Sequence, residues 1–216
     1  VTKLIKGEII MTQAIVKPEL MTLEEFLEWY PDDKGRFELH NGEIIKMPAT
    51  GTHQIVAGEI STEFSVEIRR LKLPYRIPRE CFVKPIDSDD SAFIPDIAVF
   101  DDRLLENEPM WQKRSLITKG ETIPLIVEVV STNWQDDYEM KFNEYEKLGI
   151  AEYWIVDYLG LGGRRYLGNP KQPTIFVYKL VEGEYAINFF RGSDRINSSI
   201  FPELNLTAEQ VFKVGQ

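Results

Sequence analysis

The chain has one cysteine, Cys81, in 216 residues. No intramolecular disulfide can form, and such usage suits a reducing cytoplasm, the expected location. No apolar run approaches the ~20 residues of a membrane span, and the first residues lack the apolar core of a signal peptide. Neither a membrane nor an export route is therefore expected. Basic charge is scarce: 25 Lys and Arg face 35 Asp and Glu, a net charge of −10. That balance excludes a general nucleic-acid coat protein, whose footprint is basic. No internal repeat or low-complexity tract is present. The glycine-bearing stretch 159–173 is not followed by Gly-Lys-Ser/Thr, which excludes a phosphate loop. The acidic run Asp87-Ser88-Asp89-Asp90-Ser91 lacks the glycine and the distal glutamate of an EF-hand and reads as a solvated turn.

What is present is ordinary for a globular protein: 43% hydrophobic and 28% charged residues. The length fits one domain over 21–216. Residues 1–20 show no sustained periodicity and read as an N-terminal arm, mobile or laid against a partner, with Met11 as an alternative start. Thr22, with Glu25 three residues on, opens a short helix as a capping box, and Pro31 stops it. Asn41-Gly42 between Phe37, Leu39, Ile44 and Ile45 is a two-residue hairpin turn. A long helix over 52–71 carries a stripe of Val56, Ile60, Phe64, Ile68 and Leu71, with His53 on the same face. Tyr75 to Pro85 is extended and is expected to pair antiparallel with the strand after the acidic turn. The polar stretch 101–122 combines Met110 and Trp111 with Lys113, Arg114 and Lys119, either as a strand-gripping loop or as a short docked helix. Thr174 to Phe190 alternates as a hairpin around Glu182-Gly183, and the tail is expected to return as an edge strand and short helix.

Two strands carry the chemistry. Ile94-Pro95-Asp96-Ile97-Ala98-Val99-Phe100 and Ile123-Pro124-Leu125-Ile126-Val127-Glu128-Val129-Val130 are apolar runs suited to burial on both faces. Each retains one acid. A desolvated carboxylate costs several kcal/mol unless paired or metal-bound, so Asp96 and Glu128 point to a metal site rather than scaffold. The competing reading puts both at strand ends facing water. On the following helix, Tyr138, Phe142, Tyr145 and Leu148 share a face. Lys141 lies on its edge, able to snorkel outward or reach the two acids, while Lys147 points away. Ala151–Asp157 then forms another buried strand, and strand, helix, strand implies a parallel crossover.

The Pro95-Asp96 pair, followed some thirty residues later by Glu128-Val129-Val130, resembles the PD-(D/E)xK nuclease superfamily. The usual third-motif lysine would stand at Val130, so the resemblance implies that Lys141 replaces it from the helix. A longer ordered set is similar to the Uma family of restriction-endonuclease-like proteins: Phe37-Glu38-Leu39-His40-Asn41-Gly42-Glu43-Ile44, His53-Gln54, Ile94-Pro95-Asp96, Val127 to Ser131, Tyr138, Lys141, Tyr145 and Gly149 to Asp157. The resemblance implies an α/β restriction-endonuclease-like fold: a mixed sheet flanked by helices, with a C-terminal antiparallel extension. It also implies hydrolysis of DNA phosphodiester bonds by a metal-activated water. Asp96, Glu128 and the Val129 carbonyl would hold Mg²⁺ or Mn²⁺, hard ions suited to oxygen ligands, and Lys141 would assist. Glu38, His53 and Gln54 are accessory candidates, and Lys113, Arg114, Lys119, Arg164 and Arg165 would form a rim for nucleic acid. A homodimer is expected because two strands must be addressed. The alternative is an inactive nuclease-like module that binds nucleic acid or protein.

Overall fold

The computed structural model describes residues 20–31, 35–47 and 50–215; the expected arm over 1–20 lies, but for Leu20, outside them. In chain order the elements are α1 (Leu23–Trp29), β1 (Arg36–His40), β2 (Glu43–Met47), α2 (Gly51–Leu71), β3 (Tyr75–Arg76), β4 (Phe82–Val83), β5 (Ile97–Asp101), α3 (Trp111–Arg114), β6 (Leu116–Ile117) and β7 (Leu125–Val129). A π-helical turn, Asp136–Lys141, leads into α4 (Phe142–Leu148), then β8 (Glu152–Asp157), α5 (Arg164–Leu167), β9 (Thr174–Val181), β10 (Glu184–Phe190) and α6 (Ala208–Val214).

Local chemistry sets the first elements. Thr22 and Glu25 form the reciprocal capping box of α1. The β1–β2 turn places Asn41 at φ 49° and Gly42 at φ 82°, the left-handed pair that a tight hairpin needs. A Cβ on Gly42 would also lie 2.7 Å from that of Leu20.

The main sheet has six strands in the order β10-β9-β8-β7-β5-β3. β7 and β8 are parallel, joined through α4; β5–β7, β8–β9 and β9–β10 are antiparallel. The strands of Asp96, Glu128 and 152–157 are therefore neighbours, and the 174–190 hairpin is the antiparallel extension. Alternation along the strands divides the core into two layers. Val99, Val127, Val129, Trp154 and Val156 pack under Val56, Ile60 and Phe64 of α2. On the other face, Ala98, Phe100, Ile126, Val130, Tyr153 and Ile155 pack under Tyr138 and Tyr145. A third cluster joins α1, Leu39, Phe82, Ile94 and Leu116.

Several expectations need correction. β3, not the whole of 75–85, pairs with β5; Phe82–Val83 instead runs parallel to β6, with a single bridge from Val83 to Phe93. Phe26, Leu27, Trp29 and Tyr30 read from sequence as the buried side of α1, but Phe26 and Leu27 fill it and Trp29 is exposed. The tail forms no edge strand: one bridge, Arg195 to Thr207, precedes α6. Its Ile196, Phe201, Leu204, Val211 and Phe212 complete the α2 layer, so burial rather than edge pairing fixes it.

Candidate active site

Asp96 immediately precedes β5. Pro95 cannot donate to a ladder, and the Asp96 side chain instead takes the Val129 N–H on Oδ2 at 2.9 Å. Ile97 lies opposite Val127, which brings Asp96 and Glu128, one step further out, side by side. Glu128 is 2% exposed. Its Oε1 accepts from Lys141 Nζ at 3.1 Å and from the Tyr145 hydroxyl at 2.9 Å.

Lys141 is 1% exposed and sits among three acids: Glu38 Oε1 at 3.0 Å, Glu128 Oε1 at 3.1 Å and Asp137 Oδ1 at 4.0 Å. The inward face at the start of this helix is thus Asp137, Tyr138, Lys141 and Tyr145; the four-residue steps 137, 141, 145 place the lysine centrally instead of at an edge. The π turn widens the helix where Asp137 and Lys141 face the sheet, as such turns often do at functional sites. Val130, where a third-motif lysine would stand, is buried in the apolar layer.

Glu38 is fully buried, and protein groups engage both of its oxygens. Oε1 takes the Ile94 N–H at 2.8 Å as well as Lys141, and Oε2 meets His40 Nε2 at 2.8 Å. It therefore holds Lys141 and anchors the chain just before Pro95-Asp96. Arg36, which no sequence pattern singled out, brings Nη1 within 3.4 Å of Asp96 Oδ1 and donates from Nη2 to the Ile94 and Pro95 carbonyls. His53 Nε2 lies 2.8 Å from the Val129 carbonyl oxygen and 3.1 Å from Asp96 Oδ2.

These groups surround a cavity of about 50 Å³ lined by Arg36, Met47, His53, Asp96, Glu128, Val129, Ser131, Thr132, Asn133, Asp137 and Lys141. That is room for an ion with a water or two. Gln54 is exposed and lines an adjoining groove of about 430 Å³, which shares Arg36, His53 and Asp96 with the cavity. Asp137 was legible in principle, being one helical turn before Lys141. Lys113, Arg114, Lys119, Arg164 and Arg165 line neither the cavity nor the adjoining groove. α3 is docked by Trp111 against Phe100. Arg114 donates to the Leu27 carbonyl and borders a separate groove beside α1. Arg165 pairs with Glu139 and stacks on Tyr166.

The electrostatics are unbalanced. Four carboxylates, Asp96, Glu128, Asp137 and Glu38, face two permanent cations, Lys141 and Arg36. Burial pushes the Glu128 carboxyl up to about 7, with Asp96 and Glu38 adding to the effect and Lys141 opposing it. Burial likewise raises Asp137 well above the usual range. Burial works against the Lys141 charge, but Glu128, Glu38 and Asp137 outweigh it and hold the ammonium protonated. Asp96 stays low despite burial because of its contact with His53 and the Arg36 charge. Among the described residues, no three His, Cys, Asp or Glu side chains already form a metal cage. The donor chemistry nevertheless fits a divalent cation: two carboxylates and a carbonyl line a small cavity in which acids outnumber permanent cations.

A solved structure described as "a putative nuclease belonging to DUF820" from Anabaena variabilis ATCC 29413 superposes with a TM-score of 0.67 at 20% identity, covering 91% of this chain and 99% of that one. The chain is thus an α/β protein of the restriction-endonuclease-like fold. Residues 23–209 match the model of the Uma2 family, "Putative restriction endonuclease", and the chain belongs to that family. No curated protein matches it.

Proposed function

We propose that this protein is a divalent-metal-dependent nuclease that hydrolyses DNA phosphodiester bonds at the Asp96–Glu128–Lys141 centre. The family and fold support a nuclease. The observation that carries the finer reading is Lys141: a buried ammonium 3.1 Å from Glu128 on the wall of a cavity that Asp96 also lines. Asp96, Glu128 and the Val129 carbonyl would hold Mg²⁺ or Mn²⁺. Bound there, the ion would lower the pKa of a water and polarise a phosphoryl oxygen. Lys141 orients the attacking water and offsets charge developing on the phosphorus oxygens. Glu38 keeps that ammonium in place. Arg36, between the cavity and the groove, positions Asp96 and the Ile94 and Pro95 carbonyls and adds positive charge there.

The test is incubation of plasmid, oligonucleotide DNA and RNA with purified protein across Mg²⁺, Mn²⁺ and Ca²⁺. DNA cleavage with Mg²⁺ or Mn²⁺ but not Ca²⁺, abolished in Glu128→Ala, is expected. Equal nicking by wild type and Glu128→Ala would assign the activity to a contaminant. Binding without cleavage under every condition would favour an inactive recognition module.

A further inference from the structure

His53 stands on the first turn of α2 and is 8% exposed. Its Nε2 faces two acceptors at once, the Val129 carbonyl at 2.8 Å and Asp96 Oδ2 at 3.1 Å. Its Nδ1 is buried with no hydrogen-bond partner among the described residues. If the proton sits on Nε2, both contacts are hydrogen bonds that the ring donates; if it sits on Nδ1, Nε2 presents a lone pair to two oxygens. The second arrangement is reconciled by a cation that all three atoms share. Ligands at right angles on bonds of about 2.1 Å stand roughly 3.0 Å from one another, and both contacts match that edge. The two oxygens are also those the proposed function gives to the metal.

We propose that His53 Nε2 is itself a ligand of this ion, and that the site takes a transition ion of the Mn²⁺, Fe²⁺ or Co²⁺ kind in preference to Mg²⁺. The inference rests on the proposed function, because it concerns the same metal. Neutral imidazole offers one nitrogen lone pair, which transition ions accept. Mg²⁺ is bound by oxygen and gives up its waters reluctantly. A shell of imidazole nitrogen, carbonyl and carboxylate oxygens therefore separates the two kinds of ion. The chain's only other histidine, His40, is engaged with Glu38, so an imidazole signal from the metal has one expected source.

The experiment is pulsed EPR on the tag-free full chain loaded with Mn²⁺, together with calorimetric titration of Mn²⁺ and Mg²⁺. Wild type should show nitrogen modulation that changes to the ¹⁵N pattern when histidine is ¹⁵N-labelled. The signal should survive in His40→Gln and vanish in His53→Gln. Wild type should bind Mn²⁺ about tenfold or more tighter than Mg²⁺, and His53→Gln should remove most of that difference by loss of the nitrogen donor. The labelled wild type keeps the test decisive if His53→Gln does not fold. Mn²⁺ binding that Asp96→Asn abolishes, but that shows no nitrogen modulation, would overturn His53 ligation and leave the proposed function standing. Absence of Mn²⁺ binding by wild type would overturn both.

Discussion

Lys141 is a lysine almost wholly removed from water, and only its carboxylate neighbours make that tolerable. Breaking a buried pair leaves uncompensated charge, at a typical cost of about 3–5 kcal/mol. Lys141→Met should therefore lower unfolding stability by that amount in urea titration, and adding Glu38→Gln should recover part of it. A loss below about 1 kcal/mol, the scale of exposed pairs, would contradict the buried cluster. Activity of the lysine variant must accordingly be read alongside its stability. Glu128 gives a second test through pH. Its folded carboxyl is raised from 4.5 to about 7, so the folded state holds the proton more tightly than the unfolded chain. The associated stabilisation is complete below pH 4.5 and is lost as pH rises through 7, on the order of 3 kcal/mol in all. Glu128→Gln, which cannot ionise, should flatten the decline between pH 5 and 8 seen by chemical denaturation. Parallel curves for variant and wild type would reject the shift.

At the scale of elements, the devices readable from sequence were those closed by a few residues. The Thr22–Glu25 box, the Asn41-Gly42 turn and the apolar strands around Asp96 and Glu128 each carry their own signal. The parallel pairing of β7 and β8 was readable too, since a strand, a helix and a strand follow in that order. The π turn was not readable, because stepping by an ideal helical period assumes the regularity that it breaks; Lys141 was therefore placed at the stripe's edge. Nor were Arg36 and the aim of His53 Nε2, which depend on how the β1–β2 hairpin and α2 dock on the sheet. Nor was the docking of α3, which Trp111 packs against Phe100. Docking of α4 has a sharp requirement at Gly120, where a Cβ would fall 2.0 Å from the Leu148 carbonyl oxygen. Gly120→Ala should cost about 1–3 kcal/mol through overpacking, readable as a lower Tm. An unchanged Tm would mean that the end of α4 is looser than described.

At the scale of the whole molecule, a chain with net charge −10 concentrates further negative charge at the point where β5 and β7 meet. Such a surface repels a phosphate backbone unless a cation intervenes, and polyanion binding gains from each neutralising contact. The ion therefore has two tasks in this account: activating water, and making the acidic centre approachable by DNA. Arg36 supports the second from the boundary between cavity and groove. The two layers of core bring α2, with His53, and the π turn, with Lys141, to the same end of the sheet from opposite faces. Everything turns on whether an ion occupies the cavity they enclose. The most direct measurement is anomalous diffraction from a crystal soaked in Mn²⁺. One peak is expected inside the cavity, in bonding contact with Asp96, Glu128 and the Val129 carbonyl and with Lys141 close by. A peak elsewhere, or none at saturating Mn²⁺, would contradict it.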